Sequence, residues 1–554
     1  MTSPLPNDRP NKIGVITQGS LSKGLEMKLD ASVSIESVMS GTFAVIQGKE
    51  YDFFSMITDV RIDASNEDIL LYPPAQDDVL LREILQGDAT YATVSLKPML
   101  MLPNQTNQEL LQEEARSVKT IPSHFSLVAK ATEDDIARIF GHETHADGTL
   151  YFHMGSPLGM DDIPVCINLE RFVERSNAVF GKTGTGKTFL TRLLLSGTIK
   201  NERAVNLIFD MHSEYGLGAG QEGGGKQFVK GLKELFPSKV AVFSLDPQST
   251  RRRGAAADHD VYLYADQILP EDIMPLRDTL SLNATAAESA FLVRQRYKNQ
   301  WLQRILDTDA AGIEALAEEC GANQSSLGAL KRKLAPFTQY DFFLTEPSKG
   351  KQDIIKTLLE YIDQGKSIVL EFGRYDALKV YLLVANVLTR RLRDAYEEKT
   401  SLYLQTRNEA DKPKPLIITI EEAHKFLSPG IARETPFGKI AREMRKFFVS
   451  LLVVDQRPSA IDEEVLSQIG TKLVAQLSDE KDINATLVGT SNASGLRQVL
   501  SSLDSKQQAL ALGHAVPMPV VMKTRMYDDD FYKAMQGEQA SFEDTKDEIK
   551  GLFY

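Results

Sequence analysis

The sequence predicts an α/β protein in which a small N-terminal β-barrel precedes a parallel sheet with helices on both faces. From Cys166 onward, short apolar strands alternate with helical segments, which is the pattern of a parallel α/β sheet. One of these strands leads through the glycine-rich stretch 181–188 into a helix. Before them, residues 12–62 form short runs of alternating polar and apolar residues punctuated by glycines, which is typical of closely spaced antiparallel strands.

The composition is that of a globular protein. Its 554 residues are enough for about three domains, and 42% of them are hydrophobic and 25% charged. No apolar run approaches the ~20 residues of a membrane span, and the opening MTSPLPNDRPNK lacks the apolar centre of a signal peptide. We therefore expect a cytoplasmic protein.

Cysteine and histidine usage argues against a disulfide framework and a cysteine-rich zinc site. Cys166 and Cys320 lie far apart and lack CxxC spacing. His142 and His145, in GHETHADG, form a conceivable metal pair, but the adjacent polar turn favours a solvated loop.

The net charge of −13 argues against a protein coated in basic surface. It leaves room for a local basic channel, because a ring can bind DNA through a few Lys and Arg of each subunit while its outside stays acidic.

Residues 1–165 are predicted to form the β-barrel domain. After the runs in 12–62, strand-like segments follow at 92–102 and 125–130, and a helix is expected at 133–140. None of these segments carries a recognisable chemistry.

The α/β core is predicted to consist of two parts, 166–268 and 366–525. Besides the strand before the glycine loop, predicted strands lie at 205–209, 240–244, 368–372, 416–420, 450–454 and 473–477. Most are short continuous apolar runs, as expected where helices cover both faces of a sheet.

Residues 269–365 interrupt this core with helical sequence and are predicted to form an inserted bundle. The clearest helix spans 286–306, with Thr285 and Glu288 at capping-box spacing. Four of its residues share one face, which is predicted to be the core of the bundle: Ala290, Tyr297, Trp301 and Ile305.

The chain ends, after a strand-like run at 516–522, in an acidic tail at 526–554. Its aromatic residues are Phe531, Tyr532, Phe542 and Phe553. Such a segment is either frayed or docked on a neighbour, and the sequence leaves both open.

The stretch GKTGTGKT at 181–188 matches the phosphate-binding pattern GxxxxGK[ST] in full. Its glycines let successive N–H groups face an anion at a helix N-terminus. Lys187 is expected to reach the β- and γ-phosphates of a nucleotide, and the Thr188 hydroxyl to hold Mg²⁺. The alternative is an ordinary glycine-rich strand-to-helix turn. The predicted nucleotide-binding residues are Gly181, Thr183, Gly184, Thr185, Gly186, Lys187, Thr188 and Phe189.

Two glutamates end the strand predicted at 416–420, in PLIITIEEAHKF. A P-loop needs an acidic partner from a second strand to order magnesium and polarise water. Glu421 is expected to help order Mg²⁺ and Glu422 to be the general base for the attacking water. The alternative is a pair of solvated glutamates at a turn. Asp210, at the end of NLIFD, is a weaker candidate for the metal side, and Asp210 and Glu214 are expected to line the site.

The strand predicted at 450–454 ends in VVDQRPS. Because ligands of open α/β sheets bind at the C-terminal ends of the strands, Gln456 is placed to sense the γ-phosphate or orient water. The alternative is a capping glutamine in a turn. Upstream, KIAREMRKFFVS carries Arg442 and Arg445, of which one is a candidate for contact with a neighbouring subunit's phosphate. Basic residues on a helix are otherwise a solvated face.

These motifs together resemble the HerA group of hexameric DNA translocases, relatives of the FtsK motors. The similarity lies in GKTGTGKT, FDMHSEY, IEEAHKF and IAREMRKFFVSLLVVDQRPSAIDEEVLSQIGTK behind a β-rich N-terminal domain, and it covers most of the chain. It implies a RecA-like P-loop core, an N-terminal barrel, an inserted helical bundle and a C-terminal brace formed by the tail. It also implies ATP and Mg²⁺ as ligands, a hexameric ring, and duplex DNA in a central pore.

The resemblance also implies a role for each matching residue. Lys187 and Thr188 bind nucleotide and Mg²⁺, Glu422 activates water, Gln456 senses phosphate, and Arg445 or Arg442, with Arg175 before the P-loop strand, contact another subunit. One departure puts the hydrolysis rate in question: the family usually has Asp then Glu where this chain has Glu421 then Glu422.

Two segments are the predicted DNA-contacting loops. The stretch 216–226, GLGAGQEGGGK, ends in Lys226 and is followed by Lys230 and Lys233, and residues 251–253 are three arginines. Each is alternatively an exposed surface loop. By the resemblance, contacts run to phosphates and show no sequence preference.

By the same resemblance, the motor works with a nuclease of the NurA type in DNA end resection, or with another effector in anti-phage defence. Two alternatives stay open. One is an ATP-controlled assembly scaffold, which predicts slow turnover. The other is a conjugation or secretion ATPase, which the lack of a membrane segment disfavours.

Overall fold

The computed structural model describes residues 11–65, 68–71, 73–75, 77–85, 89–103, 115–143, 149–161, 163–220, 228–346, 354–490, 493–504 and 506–536. Its contacts divide the chain into two compact units. The first comprises 1–168, 180–186 and 470–525, and the second comprises 169–179, 187–469 and 526–554. Among the described residues, no helix combines the length and apolarity that a bilayer span requires.

Up to residue 168 the chain is mainly β-structure. The strands are β1 Lys12–Ser20, β2 Gly24–Leu29, β3 Phe43–Gln47, β4 Tyr51–Ala64, β5 Thr90–Pro103, β6 Arg116–Ser117, β7 Leu127–Lys130, β8 Tyr151–Pro157 and β9 Val165–Asn168. The helices are α1 Asp68–Leu71, α2 Val79–Leu85 and α3 Glu133–Phe140.

The predicted N-terminal barrel is present. The strand order β2-β1-β7-β3-β4-β5 closes on itself through an antiparallel β2–β5 pairing, and every neighbouring pair is antiparallel. Met27, Val94 and Val128 are fully buried inside it. The alternation of polar and apolar residues in the sequence therefore corresponds to a barrel wall with one buried face.

Between residues 169 and 469 the described chain contains both helices and strands. The strands are β10 Asn177–Phe180, β11 Val205–Asp210, β12 Ala219–Gly220, β13 Phe228–Val229, β14 Val240–Ser244, β15 His259–Asp260, β16 Leu263–Tyr264, β17 Phe343–Leu344, β18 Ser367–Glu371, β19 Leu416–Glu421 and β20 Val449–Asp455. The helices are α4 Leu169–Val173, α5 Lys187–Lys200, α6 Leu232–Leu235, α7 Pro247–Arg252, α8 Pro270–Ile273, α9 Arg277–Leu280, α10 Ala284–Tyr297, α11 Trp301–Asp307, α12 Gly312–Cys320, α13 Gln324–Leu334, α14 Ile354–Asp363, α15 Leu378–Thr406, α16 His424–Leu427, α17 Pro436–Glu443 and α18 Glu463–Gln468.

The sheet of the second unit positions the candidate site. β14, β18, β11, β19 and β20 lie side by side in this order and are all parallel. Asp210 is paired with Glu371, and Glu421 with Val454. Parallel strands end at the same edge of a sheet, so the acids that end β11, β18, β19 and β20 lie along one edge. The strands predicted at these positions agree with the structure to within one residue at each end.

The remaining elements are β21 Thr471–Val474, α19 Glu480–Thr486, α20 Ala493–Ser501, β22 Gln508–Gly513, β23 Val520–Thr524 and α21 Asp529–Gln536. The strand predicted at 473–477 corresponds to β21, which begins two residues earlier and ends three residues earlier. β21 pairs antiparallel with β22, and β22 pairs antiparallel with β23.

The helix predicted at 286–306 is broken. α10 ends at Tyr297, and Lys298 has a φ of 52°, a left-handed conformation that an α-helix cannot continue through. The cap is Asn283, whose side chain accepts from the Ala286 N–H at 2.8 Å, and not Thr285. Ala290, Trp301 and Ile305 are buried as predicted.

Two further details of the insertion differ from the sequence prediction. Tyr297 is only partly buried, and its hydroxyl donates to Glu319 at 2.7 Å. β17, within the segment 269–365 that is predicted to be helical, is a strand that pairs with β16 just before this segment. A two-residue strand is too short to show a period of two in the sequence.

Replacing Trp301 by Ala is expected to destabilise the protein by about 3–5 kcal/mol, because Trp301 is fully buried and its indole N–H donates to the Ile268 carbonyl at 2.8 Å. Chemical denaturation followed by circular dichroism measures the loss. Phe291→Ala, at a position that is 39% exposed, is the control and is expected to change stability by less than about 1 kcal/mol. Equal denaturation midpoints of the two variants would contradict a packed bundle core at Trp301.

Candidate active site

The glycine loop between β10 and α5 uses two left-handed residues. Gly184 has a φ of 79° and Gly186 a φ of 93°, where a side chain would be strained. A Cβ added at either glycine would meet no atom of the described residues within 4 Å, so open space lies against the loop. Thr185 instead faces back into it, and its hydroxyl donates to the Lys182 carbonyl at 2.7 Å.

Lys187, the first residue of α5, lies among acids. Burial lowers the pKa of its amine, and the nearby carboxylates of Glu422, Asp455, Glu421 and Glu214 oppose that shift. A partly buried ammonium group among acids from the ends of β19 and β20 and from the loop after β11 is the electrostatic centre of the candidate site.

Thr188 is held by the loop that follows β11. Its hydroxyl donates to the Glu214 carboxylate at 2.7 Å, which leaves the oxygen lone pairs of Thr188 for another partner. Glu214, predicted only to line the site, thus contacts the predicted metal-binding hydroxyl directly.

Asp210, the weaker candidate for the metal side, bonds to the backbone of the loop that follows β11. Its carboxylate is fully buried and accepts the backbone N–H groups of Glu214, Tyr215 and Gly216 at 2.8, 2.9 and 3.2 Å. Burial raises the pKa of Asp210 in spite of these bonds. Asp210 therefore shapes the loop that brings Glu214 to Thr188.

Glu421 ends β19 and is almost fully buried. Its Oε1 accepts from the Tyr215 hydroxyl at 2.8 Å, whereas its Oε2 is buried without a hydrogen-bond partner among the described residues. An unpartnered buried oxygen fits a cation or a water bound to one. Carboxylate and hydroxyl oxygens are the ligands that Mg²⁺ prefers, so the chemistry of Glu421 and Thr188 fits the implied ion.

The pKa of Glu421 is raised to about 8, first by burial and then by Asp210 and Glu214. The folded protein therefore keeps this proton through neutral pH, whereas the unfolded chain loses it near the ordinary value of 4.5. Between these values unfolding releases a proton, so stability falls as pH rises.

Glu421→Gln is expected to remove this pH dependence from the nucleotide-free, magnesium-free protein. The slope it removes is at most about 1.4 kcal/mol for each pH unit between about pH 5 and 8. Thermal unfolding across that range measures it, with Glu398→Gln on the exposed side of α15 as the control. An unchanged slope in Glu421→Gln would show that this carboxyl titrates normally.

Glu422 directly follows β19 and has a strained backbone. Its φ of 48° lies in the left-handed region, which costs a non-glycine residue roughly 1–2 kcal/mol. The side chain is 33% exposed, so water can reach it. The amide nitrogen of Gln456, just after β20, lies 3.4 Å from both carboxylate oxygens of Glu422. The sheet thus brings the predicted base and the predicted phosphate sensor into contact.

Asp455 and His424 join this cluster although the sequence pattern did not single them out. The Asp455 side chain is fully buried and accepts from the His424 N–H at 2.7 Å and from the Arg457 N–H at 2.7 Å. The His424 ring nitrogen Nδ1 lies 2.9 Å from the same carboxylate. An acid at the end of an apolar strand, directly before Gln456, was the available signal in the sequence.

The three candidate arginines lie away from these residues. Arg442 and Arg445 precede β20, and Arg175 precedes β10. Ser176, the residue after Arg175, accepts from the Leu451 N–H near the start of β20. Arg445 and Arg175, a few residues before these strands, therefore lie at the N-terminal edge of the sheet, separated from Gln456 by about 20 Å of strand. Arg442 lies in the last turn of α17. Arg445 is 61% exposed and lies 3.7 Å from Glu174. Arg442 Nη1 and Arg175 Nε are buried without a hydrogen-bond partner among the described residues.

Phe189 and the start of the tail pack together in the second unit. The Phe189 ring is 38% exposed, and its centroid lies 6.1 Å from that of Tyr527. Phe531 and Tyr532 are buried, and the Tyr532 hydroxyl accepts from the Lys230 N–H at 3.3 Å. Residues 526–536 are thus docked on the unit to which they belong, while Phe542 and Phe553 lie outside the described residues.

The predicted DNA-contacting loops are only partly described. Lys226 falls outside the described residues, as does His145 of the histidine pair. Lys233 pairs with Asp258 at 3.1 Å, and Arg253 pairs with the buried Glu371. Arg251 and Arg252 are exposed.

Comparison with known proteins identifies the family. A family model described as "Helicase HerA, central domain" matches residues 152–392. The "DNA double-strand break repair helicase HerA" of Sulfolobus acidocaldarius is 32% identical over 514 residues, which cover 89% of this chain and 90% of that protein. The protein of the same description from Saccharolobus solfataricus is 24% identical over 93% of this chain and 94% of its own length.

Among solved structures, VirB4 of Thermoanaerobacter pseudethanolicus is 14% identical, with a TM-score of 0.44 over 69% of this chain and 97% of that one. The assignment rests on the sequence relatives, which match nearly the whole chain at up to 32% identity. This chain belongs to the HerA family of helicases and is a P-loop ATP-hydrolysing enzyme.

Proposed function

We propose that this protein is an ATP-driven motor that moves along double-stranded DNA as a ring of subunits. The observation that carries the proposal is the meeting of Lys187, Thr188, Glu421, Glu422 and Gln456 at the C-terminal edge of one parallel sheet. The full-length relatives described as DNA double-strand break repair helicases support the choice of DNA as the track.

ATP is proposed to bind with its phosphates against the glycine loop and α5. Gly184 and Gly186 leave open space there, and the Lys187 ammonium group, among carboxylates, offers the positive charge that the β- and γ-phosphates require. Thr188 and Glu421 are the residues proposed to hold Mg²⁺. When bound, magnesium neutralises charge that develops on the phosphates.

Hydrolysis is proposed to begin with proton removal by Glu422. Its carboxylate is the more exposed of the two glutamates and can take the proton of a water at Oε1 or Oε2. Gln456, in contact with both oxygens, orients the carboxylate and is positioned to respond to the γ-phosphate. Glu421, buried and bonded to Tyr215, is poorly placed for the same step.

The arginines are proposed to act on the nucleotide of a neighbouring subunit. The position of Arg445 and Arg175 at the opposite edge of the sheet keeps them from reaching the phosphates of their own chain. The side chain of Arg445 is 61% exposed and so accessible to a second copy. An arginine supplied in trans can raise the rate by about 10³-fold or more. The proposal therefore includes a closed ring, which we take to be a hexamer with a RecA-like core in each subunit.

DNA is proposed to be held through its phosphates by Arg251, Arg252 and the loop 216–226. A partner nuclease of the NurA type, or another effector, is proposed to receive the DNA that the ring moves. The domain layout expected for such a motor is a barrel at 1–165, a core at 166–268 and 366–525, a bundle at 269–365 and a brace at 526–554.

The test is ATP hydrolysis by the purified protein with and without duplex DNA, combined with displacement of a triplex-forming strand to detect translocation. We expect turnover that requires magnesium, rises when duplex DNA is added, and drives displacement only with ATP. Absence of hydrolysis under both conditions would refute the proposal. Nucleotide-dependent ring formation with slow turnover and no displacement would instead identify an assembly scaffold.

A further inference from the structure

A buried polar link joins the two loops that carry Glu422 and Gln456. At its centre is Asp455, whose side chain is fully buried and accepts two backbone N–H groups, from His424 and Arg457, each at 2.7 Å. The His424 ring faces the same carboxylate, with Nδ1 at 2.9 Å from Oδ2. One carboxylate thereby bonds to the turn after β19 and to the turn after β20.

The turn after β19 needs such support. Glu422 holds a left-handed backbone with a φ of 48°, and a strained residue of this kind persists only where its surroundings determine its conformation. The next residue but one is His424, whose backbone N–H is held by Asp455. On the other strand, Gln456 directly follows Asp455, and the Arg457 N–H that Asp455 binds comes one residue later.

The geometry places the same link beside the reacting carboxylate. The His424 Nδ1 lies 3.7 Å from the Glu422 Oε2, so the ring packs against that carboxylate without a direct hydrogen bond. The Gln456 amide nitrogen contacts both oxygens of Glu422 from the neighbouring turn. A shift of either turn would displace a side chain that borders the position of the attacking water beside Glu422.

We propose that Asp455 and His424 are positioning residues, which lock the turns after β19 and β20 together so that Glu422 and Gln456 face one water in ATP hydrolysis. The inference rests on the proposed function and assigns these two side chains a role in it. Neither touches the nucleotide in this scheme. For His424, the expected effect is therefore on the turnover number and not on ATP binding.

The experiment compares two substitutions of His424. His424→Phe keeps a planar ring of similar size but removes the donor to Asp455, and is expected to lower kcat by about 10- to 100-fold, the usual cost of losing a supporting hydrogen bond at a site. In His424→Asn the side-chain amide nitrogen takes about the place of Nδ1 and can still donate to Asp455. This variant is expected to retain kcat within about threefold of the wild type.

Three further readouts separate positioning from folding. The KM for ATP and the thermal midpoint of His424→Phe are expected to stay close to those of the wild type. Asp455→Asn is expected to lower kcat as His424→Phe does. His259→Phe is the matched control, because His259 also bonds a side chain, the Tyr361 hydroxyl at 2.8 Å, but lies on β15 outside the site.

Several results would overturn the inference. One is an unchanged kcat in His424→Phe, and another is an equal loss in His424→Phe and His424→Asn. A fall in thermal midpoint that accompanies the loss of kcat would point to a structural role instead. These results leave the proposed function standing as long as wild-type hydrolysis depends on Lys187. If the wild type shows no such hydrolysis, both the proposed function and this inference are refuted.

Discussion

Glu422→Gln is expected to lower kcat for ATP hydrolysis by about 10²- to 10⁴-fold, the range that a general base contributes, while ATP still binds. Glutamine has the shape of glutamate and can keep a contact with Gln456, but its amide cannot take a proton from water. Steady-state hydrolysis and equilibrium binding of a fluorescent ATP analogue measure the two quantities separately.

The control for Glu422→Gln is Glu434→Gln, a change of the same chemistry at an exposed position in the same unit. It is expected to leave kcat within about twofold of the wild type, as for a surface substitution away from the site. A Glu422→Gln protein that hydrolyses ATP at the wild-type rate would assign the base to another carboxylate. Glu421 would be the first to examine, although its burial and its bond to Tyr215 argue against it.

Lys187→Ala is expected to reduce ATP hydrolysis by about 100-fold or more and to weaken ATP binding as well. The difference from Glu422→Gln follows from charge. Lys187 lies among the carboxylates of Glu422, Asp455, Glu421 and Glu214, and without its ammonium group these acids repel a polyphosphate. Hydrolysis assays and titration with the same fluorescent analogue report both effects.

Lys200→Ala, at the other end of α5, is the matched control for Lys187→Ala. It removes the same charge from the same helix but leaves the acids at the site compensated, so binding and turnover are expected to be unchanged. Wild-type affinity in Lys187→Ala would contradict a phosphate site at the start of α5.

Local sequence patterns determined much of this protein. The strands β11, β14, β18, β19 and β20 were predicted within a residue at each end because parallel strands buried on both faces read as short apolar runs. The phosphate-binding loop was predicted because its chemistry depends on residues that are adjacent in the chain. Glu421, Glu422 and Gln456 were predicted because polar residues that end such strands must lie at the edge where ligands bind.

Other features depend on contacts that no local pattern records. Lys298 breaks the helix predicted at 286–306 and is an ordinary helical residue by composition, so only its left-handed backbone in the folded bundle reveals the break. β21 pairs antiparallel with β22, a direction that the apolar run of this segment does not specify. In both cases the tertiary partner, and not the intrinsic preference of the segment, decides the structure.

The candidate site shows the same division. The sequence by itself determined which residue types sit in the phosphate loop and at the strand ends. Only the tertiary structure decided that Asp455 holds His424, because their bonds join residues 31 positions apart and exist only once β19 and β20 pair in register. The tertiary structure also decided that Asp210 binds backbone N–H groups. It likewise placed Arg445 and Arg175 at the N-terminal edge of the sheet, opposite the candidate site. Each of these is set by the direction and register of strands, which residue spacing does not contain.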